Sequence, residues 1–190
     1  MLSQLRATNG AGFTLLEVLV ALIVLSMGVI GAAGSQLSSL RVRHGAALTS
    51  TAVQLGTSLA ERMRANAGLT QGFDAANPYL RLDYDGSRGA PSAPPALCYA
   101  NSVCDAAQLA QFDLYEVMHA VHARFPGGRI TLCRDNVVWD SAGAALAWPC
   151  AGGASAPLVI KIGWRARDTA TLDVKPVAPL LAMVVGGASQ

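Results

Sequence analysis

From Phe13 to Ala33 the chain reads FTLLEVLVALIVLSMGVIGAA, and only Thr14, Glu17 and Ser26 interrupt the run with polar side chains. As a helix rising about 1.5 Å per residue, it spans about 30 Å, the thickness of a bilayer's hydrocarbon core. The pattern predicts a transmembrane helix over about 13–33. From Gly34 to Asn66 there is no proline, and Leu37, Leu40, Ala47, Leu48, Thr51, Val53, Leu55, Leu59 and Met63 recur mostly at intervals of three or four. That is the signature of an amphipathic helix. One helix of roughly 80 Å is expected from Phe13 to about Asn66, with its first half embedded and its second half packed under a globular head. Gly28, Gly31 and Gly34 weaken it by roughly 0.5 to 1 kcal/mol each relative to Ala, but they let neighbouring helices approach closely.

Periodicity stops at Ala67. Residues 67–96 are rich in Gly, Pro, Asn, Asp and Ser, the composition of a connecting loop. Asp105 with Gln108 three positions on predicts a capped second helix. Its apolar stripe comprises Leu109, Phe112, Tyr115, Met118, Val121, His122 and Phe125, and Pro126-Gly127-Gly128 ends it. Strand-like stretches follow at Arg129–Arg134, Val137–Asp140, Leu158–Arg167 and Val177–Val185. A long helix, a loop, a short helix and then antiparallel strands make an α+β fold. The chain divides into a leader over 1–12, the long helix over 13–66 and one head over 67–190.

The exception inside the apolar run is Glu17. A carboxylate costs on the order of 2.5 to 3.5 kcal/mol at mid-bilayer and less near a helix end, so an ionised Glu17 implies a partner, or snorkelling to the interface. The polar segment MLSQLRATNGAG precedes the run, and the obvious small-residue junction lies before the apolar block rather than after it. An ordinary secretory signal has the opposite order. Cleavage after Gly12 would remove the leader, keep the helix and create an α-amino group on Phe13, one helical turn from Glu17. A cation would then be available to the carboxylate, in the same molecule or a neighbour.

Gly12-Phe13-Thr14-Leu15-Leu16-Glu17 and the apolar run behind it resemble the class III signal of type IV prepilins and type II secretion pseudopilins. The resemblance implies that a prepilin peptidase cuts between Gly12 and Phe13 on the cytoplasmic side and methylates the Phe13 amine. It further implies that Glu17 docks a subunit against the N-terminus of its neighbour in a filament. In the head, Glu61-Arg62-Met63-Arg64-Ala65-Asn66, the close cysteine pair before a short helix, the Pro-Gly-Gly turn and a strand ending in Gly-Trp-Arg resemble PilV-type minor pilins. The stretch Val137–Pro149, with Trp139 and Trp148, departs from that pattern. The partners implied are other minor pilins, the major pilin, the prepilin peptidase/N-methyltransferase, the inner-membrane assembly platform and membrane lipid. The location implied is the inner membrane, with a periplasmic head that enters the pilus. A minor pseudopilin of a secretion system and a membrane-anchored periplasmic binding or adhesion module are the alternatives.

Composition narrows the chemistry. Hydrophobic residues make up 52% of the chain, much of that excess lying in the N-terminal run, and a net charge of +2 with no basic cluster interleaved with aromatics gives no argument for nucleic acid. Arg6, Arg41 and Arg43 flank the apolar run on both sides, so the positive-inside rule leaves its orientation open. Cys98, Cys104, Cys133 and Cys150 allow three pairings. Closeness in sequence favours Cys98 with Cys104 and Cys133 with Cys150, in an oxidising compartment. A zinc site would combine the first two with His119 and His122, but the cysteine spacing is wider than that of common sites. Tyr79, Asp83, Tyr84 and Asp85 in the loop could meet a sugar or a protein, but the preferred reading is that they are solvated loop residues. There is no nucleophile elbow, phosphate-binding glycine loop or HExxH, so no catalytic, metal or cofactor-binding residue is nominated.

Overall fold

The computed structural model describes residues 12, 14–70, 74–99, 102–165 and 178–186. Phe13, the leader before Gly12, and the outer parts of the strands expected over 158–167 and 177–185 lie outside the described residues. Helix α1 runs Leu15–Ala65 and is followed by a single turn, α2 (Ala67–Thr70). Helix α3 spans Ala106–Arg124. Strands β1 (Asp83–Asp85), β2 (Arg129–Arg134), β5 (Leu158–Gly163) and β6 (Leu181–Gly186) form an antiparallel sheet in the order β1-β2-β5-β6, while β3 (Trp139–Asp140) and β4 (Ala145–Leu146) form a separate hairpin. The fold is α+β and pilin-like, a long N-terminal helix with an apolar span ahead of a head of short helices and antiparallel sheet.

Two compact units are present, 1–44 and 45–190. In the first, every described residue of α1 is exposed, and an 18-residue window has a mean hydropathy of 2.5. This helix is long and apolar enough to cross a membrane. In the second unit the remainder of α1 buries Ala52, Gly56, Leu59, Ala60 and Met63. Gly56 sits where a Cβ would come within 2.7 Å of the Met183 methyl, so its missing side chain admits β6 against the helix.

The sheet's two faces follow the two-residue period of a strand. Ile130, Leu132, Ile160 and Ile162 join the core with α1 and α3. Arg129, Cys133, Lys161 and Gly163 face a strap over 135–153 that carries the β3–β4 hairpin. All six residues of β5 are buried, because the strap covers the face that the helices leave open.

Several expectations shift. The loop over 67–96 holds α2, three 3₁₀ turns and β1, whose three residues pair with Arg129–Thr131 and are too few to show a period. The strand expected over Val137–Asp140 shrinks to Trp139–Asp140 and leaves the main sheet, since the Val137 N–H donates to the Asp135 side chain (3.0 Å) instead of a neighbouring strand. β5 stops at Gly163 because the Arg165 N–H turns to the Pro126 carbonyl (2.8 Å). On α3 the Asp105–Gln108 capping box forms as expected, and Gly127 takes a left-handed φ of 56° in the terminating turn. Its buried face, however, is Ala110, Phe112, Asp113, Val117 and Val121, while Leu109 and His122 are exposed. The stripe is rotated because Asp113 has partners inside.

Candidate functional site

The start of α1 is built by local hydrogen bonding. Thr14 precedes the helix, and its carbonyl accepts from the Glu17 N–H (3.1 Å) and the Val18 N–H (3.3 Å). The Thr14 hydroxyl also accepts from the Glu17 N–H at 3.3 Å. Thr14 is therefore the N-cap, and Thr-x-x-Glu is the spacing of a capping box, a signal legible in the sequence that the periodicity argument passed over. Glu17 lies in the first turn, where the helix dipole favours a negative charge. Its side chain is exposed, and no described group donates to the carboxylate. Gly12 is exposed and non-helical, with open space where a side chain would stand. A non-helical, uncrowded position at Gly12, a capped helix start and an available carboxylate thus follow one another within six positions.

The head's polar groups do structural work. Arg62 in the last turn of α1 and Asn66, the residue just after its end, both reach α3. Arg62 Nη1 donates to Asp113 Oδ1 on α3 (2.8 Å), and Asn66 Nδ2 donates to the Ala106 carbonyl (2.8 Å). Tyr79, fully buried, donates its hydroxyl to Asp113 Oδ2 (2.8 Å). Burial, with the Asp113 carboxylate beside it, holds this hydroxyl un-ionised far above the usual tyrosine range. The expectation of a solvated loop residue fails at Tyr79 for this reason.

A second polar cluster fastens the strap. Asp135 Oδ1 accepts from the N–H groups of Val137 (3.0 Å) and Ala151 (3.1 Å), tying together the strap's two ends. Its Oδ2 lies 2.5 Å from Lys161 Nζ, both side chains being fully buried. Lys161 also donates to the carbonyls of Ala147 (2.7 Å) and Pro149 (2.9 Å). Burial pushes the Asp135 carboxyl up, but Lys161 and the two backbone donors outweigh it and hold the carboxyl below the ordinary range. The Arg129 guanidinium stacks 4.5 Å from the Trp148 ring.

The cysteines form two disulfides, Cys98–Cys104 and Cys133–Cys150. The second closes the strap. The first is held against α3 by the edge-on packing of Tyr99 with Phe112 and by the Tyr99 hydroxyl donating to Glu116 (2.9 Å). His122 Nδ1 lies 3.0 Å from the Tyr84 hydroxyl, and His119 packs on Tyr115. Among the described residues no three His, Cys, Asp or Glu side chains gather as a metal site. The sequence reading missed Asp113, Asp135 and Lys161. Lys161 could have been found, since a lone cation amid Val159, Ile160 and Ile162 needs a buried partner.

Residues 8–33 match the family model described as the prokaryotic N-terminal methylation motif. The match takes in Gly12, Phe13, Thr14 and Glu17 and stops short of the head. No curated protein and no solved structure matches the chain. The N-terminal segment is thus that of a prepilin-type protein, set on an α+β, pilin-like fold.

Proposed function

We propose that the protein is a minor pilin, a non-enzymatic filament subunit that helps initiate or assemble a type IV pilus. The observation that carries the reading is the joining of the methylation motif over 8–33 to a helix whose first half is apolar and exposed on all sides. Such a surface needs lipid before assembly and neighbouring helices afterwards. In this account the leader is removed between Gly12 and Phe13 by a prepilin peptidase that also methylates the Phe13 amine. The Glu17 carboxylate then meets the amine of a neighbouring subunit. The disulfide-fastened head lies in the periplasm, and the subunit joins other minor pilins and the major pilin at the inner-membrane assembly platform. The PilV-like features of the head favour a pilus over a secretion system.

Mass spectrometry of sheared filaments tests the reading. Recovery of the chain beginning at Phe13, in few copies relative to the major subunit, is expected. A processed chain that never leaves the membrane in piliated cells would overturn it in favour of an anchored, non-polymerising module.

A further inference from the structure

Arg41, Arg43 and His44 follow the apolar stretch of α1, and all three are exposed. None of them makes an ion pair or hydrogen bond among the described residues. Counting along α1 within the N-terminal unit, Arg41 lies 24 residues after Glu17, about 36 Å at 1.5 Å per residue. The hydrocarbon core is about 30 Å thick, and the bilayer with headgroups about 40 to 45 Å. With Glu17 at one interface, Arg41 and Arg43 therefore fall at the headgroup level of the other, whichever way the helix is oriented. We infer that Arg41, Arg43 and His44 form a headgroup-binding collar, selective for anionic phospholipid, that seats the subunit in the distal leaflet before assembly.

Three considerations select lipid phosphate over a protein carboxylate. Positions two apart on a helix point to different sides, so Arg41 and Arg43 cannot both meet one docked helix, whereas a headgroup layer surrounds α1 and meets both. Guanidinium groups bind phosphate oxygens bidentately. Under the proposed orientation these arginines also lie on the side that the positive-inside rule disfavours, where anionic headgroups supply the missing counter-charge. The inference rests on the membrane-spanning reading of α1, and the experiment separates the two.

The full chain and an Arg41→Gln/Arg43→Gln/His44→Gln variant are reconstituted in vesicles of phosphatidylcholine containing a minority of phosphatidylglycerol, floated after an alkaline wash, and extracted gently for mass spectrometry of retained lipid. Each arginine near an anionic surface favours anionic lipid by roughly five-fold at low salt. Wild type should therefore retain phosphatidylglycerol several-fold over its bulk share. The variant should float equally well and lose that enrichment, and raised salt should weaken it in wild type. Failure of wild type to float would overturn the spanning reading. Flotation without enrichment, or enrichment that persists in the variant, would overturn the collar alone.

Discussion

At the scale of single residues, Glu17 and Asp135 show two ways of keeping a carboxylate where water is scarce. Asp135 has its partners built in, and Glu17 has none among the described residues. Glu17→Val should therefore insert and be processed at least as readily as wild type, because the insertion penalty is gone. Its shortfall should appear as depletion from sheared pili, with Glu17→Gln between. Normal incorporation of Glu17→Val would show the carboxylate to be dispensable. For Asp135 and Asp74 the sign runs with acid. Asp74 is held below the ordinary carboxylate range chiefly by hydrogen bonding from Arg134, and Asp135 by Lys161 and two backbone donors against the cost of burial. Groups with depressed folded values stabilise fully above about pH 4, the unfolded carboxylate range, and lose that contribution as pH falls through the folded values. The melting temperature of the protein in detergent should be level from neutral pH to about pH 4 and fall below it. In Lys161→Met the decline should start from a lower plateau and be shallower, and an unchanged acid profile would remove Asp135 from the account.

At the scale of elements, the long helix was legible because its pattern persists over many turns, and the capping box of α3 because Asp105 and Gln108 satisfy each other locally. The strap was not. Its strands are two residues long, and its position depends on contacts between Lys161, Asp135, Arg129 and Trp148 that no local pattern encodes. The rotation of α3 has the same origin, since Asp113 reads as a solvent residue until Arg62 and Tyr79 are brought to it. Two predictions follow from these fastenings. Asp113→Ala strands the buried Tyr79 hydroxyl and leaves the partly exposed Arg62 guanidinium without its carboxylate, and should destabilise the head by about 2 to 3 kcal/mol in denaturant melts, with Asp113→Asn less affected. Gly163→Ala places a Cβ within 2.8 Å of the Trp148 ring and 3.0 Å of the Ala178 carbonyl. It should cost about 1 to 3 kcal/mol by overpacking and shift Trp fluorescence as the ring is displaced. An unperturbed spectrum would mean that Trp148 does not lie over β5 in solution.

At the scale of the whole molecule, the chain begins with a prokaryotic N-terminal methylation motif and ends in a head whose two disulfides suit an oxidising compartment. Removing the Cys133–Cys150 bridge by Ser substitution should cost about 3 kcal/mol for a loop of this size, and should free the strap to protease before the rest of the head unfolds. Equal protease resistance of the reduced and oxidised protein would show that the polar fastening suffices alone. The N-terminal motif was readable because the Gly-Phe junction, the single carboxylate and the apolar run behind them lie together in a short stretch of sequence. The head's identity was not, because its distinguishing features are contacts between distant residues rather than a motif.

The central claim, that Gly12-Phe13 is a prepilin processing junction feeding a filament, is tested most directly by the intact mass of the membrane-extracted protein from piliated cells. The expected result is a chain that begins at Phe13 and carries one methyl group on its amine, with Gly12→Leu retaining the leader because the peptidase must fit the backbone tightly at the cut. A wild-type chain that still begins at Met1 in those cells would contradict it.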